Sequence, residues 1–304
     1  MKEQMTITFF ALGTVNSITV SKAAEKTVVN RAMERVHELH EQLSAYSKHG
    51  DIAAINAAAG DRYIKVHKDT FHLVEQAKKF AELTIGAYDP SIFPLVKIWN
   101  QGRTENVVPE VQDICNAKCL VNYKDILLDS ENCSVMLGRG YMALDLGGIA
   151  KGFAADEARR ILTEGGITEA VINFGGTVIV MGMPRAVGIQ HPGQSTGIPM
   201  GSVSLSGQAA VTSGSYEKSF IKDGKLYHHL IDPQTGRPAE SNLVSVTLIG
   251  SSAMELDALS TAVFVLGIEN GNELVEKFGL NAVYIKTDNK IFVTAGINDT
   301  FALQ

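Results

Sequence analysis

Carboxylates, hydroxyls and paired glycines occur together in a few short segments, and these combinations suit the binding of a phosphorylated ligand. The first segment runs from Asp145 through Gly147 and Gly148 to Lys151. We predict a strand that ends at Asp145, a glycine turn that lets the backbone approach a ligand, and a helix that starts at Ile149. The free N–H groups at a helix start bind phosphate, and the Lys151 ammonium adds a positive charge. A plain strand–turn–helix joint with a glycine bend explains the same residues equally well.

A carboxylate and a hydroxyl share one face of a predicted helix in the second segment. Asp257 and Thr261 are four residues apart in an otherwise apolar stretch, and this spacing places them side by side. Two polar groups on a buried face need partners, and a Mg²⁺ ion would satisfy both, since Mg²⁺ uses one or two carboxylates together with phosphate oxygens. Alternatively, the aspartate caps a local turn and the threonine bonds back to a helix carbonyl.

Adjacent histidines mark the third segment, where we predict a strand over Tyr227–Ile231 that runs into a turn. Asp232 and Thr235 can brace that turn through bonds from their side chains to the backbone. Because successive strand residues point to opposite faces, one of His228 and His229 must face inward. The inward histidine is a candidate functional residue of the site. The alternative is that it has a purely structural role.

A loop directly after a predicted helix forms the fourth segment, Gly86–Ser91. Pro90 holds the preceding Asp89 in an extended conformation. The loop can therefore present that carboxylate.

Other patterns match known motifs only in part. Gly138–Ala143 has the spacing of a dinucleotide fingerprint but lies in the turn before a predicted strand, Tyr141–Leu146, instead of opening a helix. Gly147–Gly152 lacks the Lys-Ser/Thr ending of a P-loop. The run His37–His40 lacks the H-E-x-x-H spacing of a zinc site and favours a solvated helix face. Ser213 is not in the G-x-S-x-G elbow that marks a serine nucleophile.

Composition excludes several classes of partner. The chain has 27 Lys+Arg against 33 Asp+Glu, for a net charge of −6, so nucleic acid and anionic membrane surfaces are not expected as partners. No apolar run approaches the ~20 residues of a membrane-spanning helix. Cys115, Cys119 and Cys133 have no accompanying histidine, which indicates reduced thiols and no zinc site. We see no secretory leader or lipobox and expect a cytoplasmic protein, or an extracytoplasmic one if its N-terminus has been trimmed.

Short strands and a few amphipathic helices must position these groups. We predict helices over residues 22–44, 69–85, 149–163 and 253–266. Residues 100–124 read as a surface connection with one short helix after Pro109. Because strands and helices do not alternate regularly, the class is α+β. Nothing resembles a linker, so we expect one domain over residues 1–304.

Taken in order, these segments resemble the ApbE family, the FAD:protein FMN transferases. The matching segments carry the family's longest motifs, and they are Asp145–Asp156, Asn173–Gly176, Thr212–Lys218, His229–Pro238 and Asp257–Ala262. Leu12–Thr14 and Leu43–Ser47 resemble two further family segments near the start. The resemblance therefore covers the chain from about residue 10 to residue 265.

This resemblance implies an α+β fold in which FAD lies in a groove between two lobes. It implies Mg²⁺-dependent transfer of FMN from FAD to a Ser or Thr hydroxyl of an acceptor protein through a phosphoester, with release of AMP. By analogy, FAD contacts Leu12, Tyr46, Ala87, Tyr88, Asp89, Asp145, Lys151 and Ile231. Mg²⁺ is held by the Gly148 carbonyl, the Asp257 carboxylate and the Thr261 hydroxyl. His229 is the candidate for general base, because the ordinary pKa of histidine lies near working pH. The alternatives are that Asp145 serves as the base, or that no protein group does.

The family's acceptor motif is D-x-x-[ST]-G-[AS]-[ST], ending at the modified hydroxyl. Asp232–Pro238 begins like it but ends in Arg-Pro, so we expect this chain to modify another protein and not itself. Two alternatives use the same site: a Mg²⁺-dependent FAD pyrophosphatase, in which water replaces the acceptor, and a non-catalytic FAD-binding protein. The resemblance is also compatible with a homodimer.

Overall fold

The computed structural model describes residues 3–47, 49–195 and 197–303. It combines helices with antiparallel sheets, and the strands do not alternate with helices as in a doubly wound protein. The predicted α+β class is therefore confirmed.

Seven α-helices are present in the described part of the chain. They are α1 (Lys26–Leu43), α2 (Asp51–Ala57), α3 (Lys68–Leu83), α4 (Phe93–Glu105), α5 (Val111–Lys118), α6 (Ala150–Glu164) and α7 (Ala253–Lys277). The strands up to the middle of the chain are β1 (Gln4–Ala11), β2 (Thr14–Ser21), β3 (Ile64–Lys65), β4 (Ile126–Asp129), β5 (Ser134–Leu137), β6 (Ala170–Phe174), β7 (Thr177–Met181), β8 (Arg185–Gln190) and β9 (Pro199–Leu205). The later strands are β10 (Gln208–Gly214), β11 (Phe220–Lys222), β12 (Lys225–Tyr227), β13 (Ile231–Asp232), β14 (Arg237–Pro238), β15 (Leu243–Gly250), β16 (Asn281–Lys286), β17 (Ile291–Val293) and β18 (Phe301–Leu303).

An eight-stranded antiparallel sheet, in the order β1-β2-β6-β7-β10-β15-β16-β17, is the framework. In its central strand β10, Ala209 and Val211 enter the large core under α1, α6 and α7, whereas Ala210 enters a second core against the sheet β18-β9-β8. Burial on both faces explains why Ala209, Ala210 and Val211 are all apolar, without alternation.

Helices α6 and α7 pack with their backbones in close contact. A Cβ atom at Gly152 would overlap the carbonyl oxygen of Ala253, so only glycine fits this crossing. Asp156 then caps α7, because its carboxylate accepts hydrogen bonds from the backbone N–H groups of Ala253 (3.1 Å) and Met254 (3.0 Å). The motif residues of α6 thus fix where α7 begins.

Residues 100–124 were predicted as a surface connection with one short helix after Pro109, and this was wrong for residues 100–105. These residues belong to α4, which starts at Phe93 and ends at Glu105. Buried Leu95 and Trp99 face α5 within a small apolar cluster, and Pro94 occupies the first helical turn, where proline is tolerated. The polar residues on the other face of α4 obscured this helical pattern.

Two predicted strands are also corrected. Tyr141–Leu146 is not a strand, and only an isolated bridge between Ile92 and Ala143 forms there. Tyr227–Ile231 is interrupted, because β12 ends at Tyr227 and β13 begins at Ile231. The two histidines therefore lie in a connection, where inward and outward directions are not set by strand alternation.

The predicted helix over 253–266 ends at Gly267, whose φ of +76° interrupts the helical conformation, and a second helical segment then continues α7 to Lys277. Cys115, Cys119 and Cys133 are free thiols, as expected. In the parts of the chain that the structure describes, no helix has the length and apolar character required to cross a membrane.

Candidate active site

One cleft of about 480 Å³ collects every residue that the sequence predicted for the site. Its volume lies within the range of small-molecule sites. Its lining includes Leu12, Tyr46, Ala87, Tyr88, Asp89, Asp145, Gly148, Lys151, His229, Ile231, Asp257 and Thr261. Residues far apart in the sequence therefore meet at a single place.

The glycine turn before α6 brings two carboxylates and an ammonium group together. Asp145 Oδ1 accepts a hydrogen bond from the Gly147 backbone N–H at 2.8 Å, which closes the turn. Lys151 Nζ donates to the Gly147 carbonyl oxygen at 2.8 Å and lies 3.2 Å from Asp257 Oδ1. Burial raises the pKa of Asp145, although the hydrogen bond from Gly147 opposes this shift.

The start of α6 is less free for an anion than the sequence suggested. Asp257, from α7, accepts the backbone N–H of Gly152 at 3.0 Å and so uses one of the donors in the first turn of α6. Asp257 therefore caps a neighbouring helix instead of a local turn. A ligand phosphate at this corner would rely on Lys151 and on the remaining donors of the glycine turn.

The donor set around Asp257 suits Mg²⁺. A Cβ atom at Gly148 would lie 3.4 Å from Thr261 Oγ1, so the glycine backbone and the threonine side chain are neighbours. The Thr261 hydroxyl donates a long hydrogen bond to the Asp257 carbonyl at 3.4 Å, which leaves its oxygen lone pairs free. Among the described residues no cluster of three His, Cys, Asp or Glu side chains occurs, and one carboxylate with hydroxyl, carbonyl and phosphate oxygens is a set that Mg²⁺ accepts.

The two adjacent histidines have different environments. His228 is 9% exposed, and its Nε2 donates to the Ala239 carbonyl while its ring packs edge-on against Phe264. His229 lines the cleft, and its Nδ1 donates to the Glu217 carbonyl at 3.0 Å, which leaves Nε2 unprotonated. Burial, followed by the charge of Lys218, lowers the pKa of His229 to about 4. The expectation of an ordinary histidine pKa was therefore wrong.

The loop after α3 contributes a carboxylate and a phenol that behave differently from each other. Asp89 accepts hydrogen bonds from both the backbone N–H and the hydroxyl of Ser91, and from the Tyr123 N–H, so its carboxylate braces its own loop. Tyr88 is 4% exposed, and its hydroxyl has no hydrogen-bond partner in the protein. Burial and the negative charge of Asp257 raise the pKa of Tyr88 well above its usual value. A buried phenol in this state is a donor for a ligand atom.

Two separate segments form the rim of the cleft. Leu12 is at the tip of the β1–β2 hairpin. Tyr46 is 66% exposed, packs edge-on against Phe93, and accepts a hydrogen bond from Asn100 Nδ2 at 2.9 Å. Both present apolar surface at the opening, and such a surface suits a ligand with a planar aromatic ring system.

Sequence reasoning missed several residues that line the cleft: His40, Asn100, Glu217 and Lys218. His40 belongs to the run that was predicted as a solvated helix face, and that prediction was wrong for His40. Lys218 has a φ of +41°, an uncommon conformation for a lysine. The resemblance of Thr212–Lys218 to a family motif was the only signal in the sequence that pointed to Lys218.

Solved structures share this fold over nearly its whole length. The ApbE protein of Thermotoga maritima superposes with a TM-score of 0.88 at 32% identity, covering 97% of this chain and 98% of that one. The flavin transferase ApbE of Vibrio cholerae gives a TM-score of 0.84 at 25% identity, covering 98% and 99%. The fold is thus that of the flavin transferases.

Curated relatives agree at the level of sequence. A protein of Treponema pallidum described as an FAD:protein FMN transferase is 34% identical, covering 95% of this chain and 86% of its own length. One of Klebsiella pneumoniae with the same description is 32% identical, covering 89% and 86%. The model of the ApbE family matches residues 12–284. This chain belongs to the ApbE family.

Proposed function

We propose that this protein transfers the FMN half of FAD to a Ser or Thr hydroxyl of an acceptor protein and releases AMP. The observation that carries the proposal is that all the residues expected to bind FAD and Mg²⁺ line one cleft. Membership in a family whose curated relatives are described as FAD:protein FMN transferases supports it. We also propose that residues 1–304 act as one unit, with FAD between two lobes.

The polar end of the cleft is the proposed site of the pyrophosphate. Lys151 and Lys218 provide positive charge there, and Tyr88 provides a buried hydroxyl without a protein partner. Gly148, Asp257 and Thr261 would hold Mg²⁺. When bound, Mg²⁺ would neutralise negative charge on the phosphate oxygens.

The apolar end is the proposed flavin site. Leu12 and Tyr46 would contact the isoalloxazine ring, and buried Ala87 and Ile231 would contact the nucleotide through their apolar atoms. Asp89 would act through the shape of its loop, because its carboxylate oxygens are already hydrogen-bonded.

The reaction joins the acceptor oxygen to the FMN-side phosphorus and breaks the bond from that phosphorus to the oxygen that leaves with AMP. His229 would take the hydroxyl proton on Nε2, since its Nδ1 is fixed by the Glu217 carbonyl. Its lowered pKa keeps the ring neutral and able to accept a proton at neutral pH. The two lysines would stabilise charge as it moves onto the departing phosphate.

The test is incubation of the protein with FAD, Mg²⁺ and a domain that carries the D-x-x-[ST]-G-[AS]-[ST] motif. We expect the intact mass of the acceptor to rise by one FMN group, with one AMP released for each adduct. An acceptor whose terminal motif hydroxyl is replaced by alanine is the control. Free FMN and AMP without an adduct would instead indicate a pyrophosphatase, and FAD binding without AMP release would indicate a non-catalytic flavin-binding protein.

A further inference from the structure

The hairpin tip that carries Leu12 has an unfavourable backbone conformation. Strands β1 and β2 pair in register from Gln4–Ser21 to Ala11–Thr14, which leaves Leu12 and Gly13 as a two-residue turn. Both residues have positive φ, +54° and +73°, as in the type I′ turn. Glycine adopts this conformation freely, but leucine does so only at a cost in free energy. Some other contact must therefore stabilise this backbone conformation at the tip.

Helix α1 supplies contacts to this hairpin through the His37–His40 run. The Leu12 backbone N–H donates to His40 Nδ1 at 3.3 Å, which requires that Nδ1 carry no proton. One turn earlier, the ring of His37 packs against Phe9 of β1, with the ring centroids 5.4 Å apart. The two histidines thus connect one helix to the last part of the strand and to the tip.

We propose that His40 is a positioning residue that holds Leu12 in place against the flavin ring. The inference rests on the proposed function, in which Leu12 contacts the flavin. His40 and Leu12 line the same cleft, so the hydrogen bond fixes a wall of the binding site. His40 itself takes no part in proton transfer, which is assigned to His229.

The test compares His40→Leu, which removes the acceptor, with His40→Asn, whose amide oxygen replaces Nδ1. FAD dissociation constants are measured by flavin fluorescence, and exchange of the Leu12 amide hydrogen is followed in the FAD-free protein. We expect His40→Leu to weaken FAD binding by about three- to tenfold, the effect of one hydrogen bond, and to speed exchange at Leu12. His40→Asn should restore most of both, and KM for FAD should change more than kcat.

Three outcomes would overturn the inference while leaving the proposed function intact, two of them in FAD binding and one in hydrogen exchange. The first is a His40→Leu variant that binds FAD like the wild type, and the second is a His40→Asn variant as weak as His40→Leu although both remain folded. If wild-type protein binds no FAD, the proposed function itself fails. Exchange at Leu12 that is identical in all three proteins would show that the hydrogen bond does not order the tip.

Discussion

The low pKa of His229 predicts where the acid limb of the pH–rate profile lies. Its ring is partly buried in the lining of the cleft, and the cation of Lys218 is nearby, so protonation is disfavoured and the pKa falls from its ordinary value of 6.5 to about 4. Protonated His229 cannot accept the proton of the acceptor hydroxyl. Activity that depends on this base is therefore fully present above the lowered pKa and is lost only as the pH falls through about 4.

The difference from an ordinary histidine is large enough to measure. At pH 6 a histidine with a pKa of 6.5 is about one-quarter neutral, which predicts roughly a fourfold lower kcat/KM than at pH 8. With the pKa at about 4, His229 is almost entirely neutral at pH 6, and kcat/KM should change by less than about 1.2-fold. The assay is AMP release from FAD at saturating Mg²⁺ and acceptor, between about pH 3 and pH 8, so that the range includes the expected midpoint near 4.

Two variants test whether His229 and its surroundings cause the loss of activity at low pH. Lys218→Met removes the second cause of the shift, so the midpoint should move upward but stay below 6.5, because burial remains. His229→Gln should lower kcat by about 10²- to 10⁴-fold and abolish the limb. A wild-type midpoint near 6.5, or a midpoint unaffected by Lys218→Met, would refute the reasoning about the environment of His229.

Three further predictions concern two residues that line the cleft and the contact between α6 and α7. Tyr88→Phe removes a hydroxyl without a protein partner. Thermal unfolding should therefore show unchanged stability or a gain of up to about 1 kcal/mol, and FAD titration should show weaker binding. A clear loss of stability would contradict this. Asp257→Asn keeps an acceptor for the α6 backbone but loses the carboxylate charge. Mg²⁺-dependent AMP release should therefore fall at least about 100-fold, and unfolding in urea should show about 1–3 kcal/mol of destabilisation. Turnover at the wild-type level would exclude the metal assignment. Gly152→Ala should destabilise the protein by about 3 kcal/mol, because its Cβ meets the Ala253 carbonyl, whereas Gly140→Ala, with no atom closer than 4.0 Å, should unfold like the wild type.

The hydrophobic pattern was sufficient to predict the class of fold, and the resemblance to the ApbE family supplied the residues that meet in the cleft. Asp145 lies in the connection that leads to α6, and Asp257 lies in the first part of α7, so each belongs to a short segment with a recognisable local pattern. These local features persist whatever the tertiary arrangement, so sequence reasoning can find them. The capping of α7 by Asp156 follows from the same motif, but only the structure shows it.

The residues that were missed depend on contacts distant in sequence. His40 looked like a surface residue because its partner is the backbone of Leu12, 28 residues away. The pKa of His229 was misjudged because burial and the charge of Lys218 arise only in the folded chain. Helix α4 was overlooked because its apolar face is narrow and packs on α5 instead of the main core.

Trp99 is the only tryptophan in the chain. Its ring is stacked on Tyr227, with the centroids 5.6 Å apart, and its indole N–H donates to the Gly236 carbonyl at 2.8 Å. The indole therefore lies in a fixed orientation beside Asn100, which lines the cleft. Because flavins absorb where indoles emit, occupation of the cleft should quench the intrinsic fluorescence of the protein. The wild-type protein thus contains one intrinsic fluorescent reporter of ligand binding and ligand release. Stopped-flow fluorescence can follow both processes without an added label.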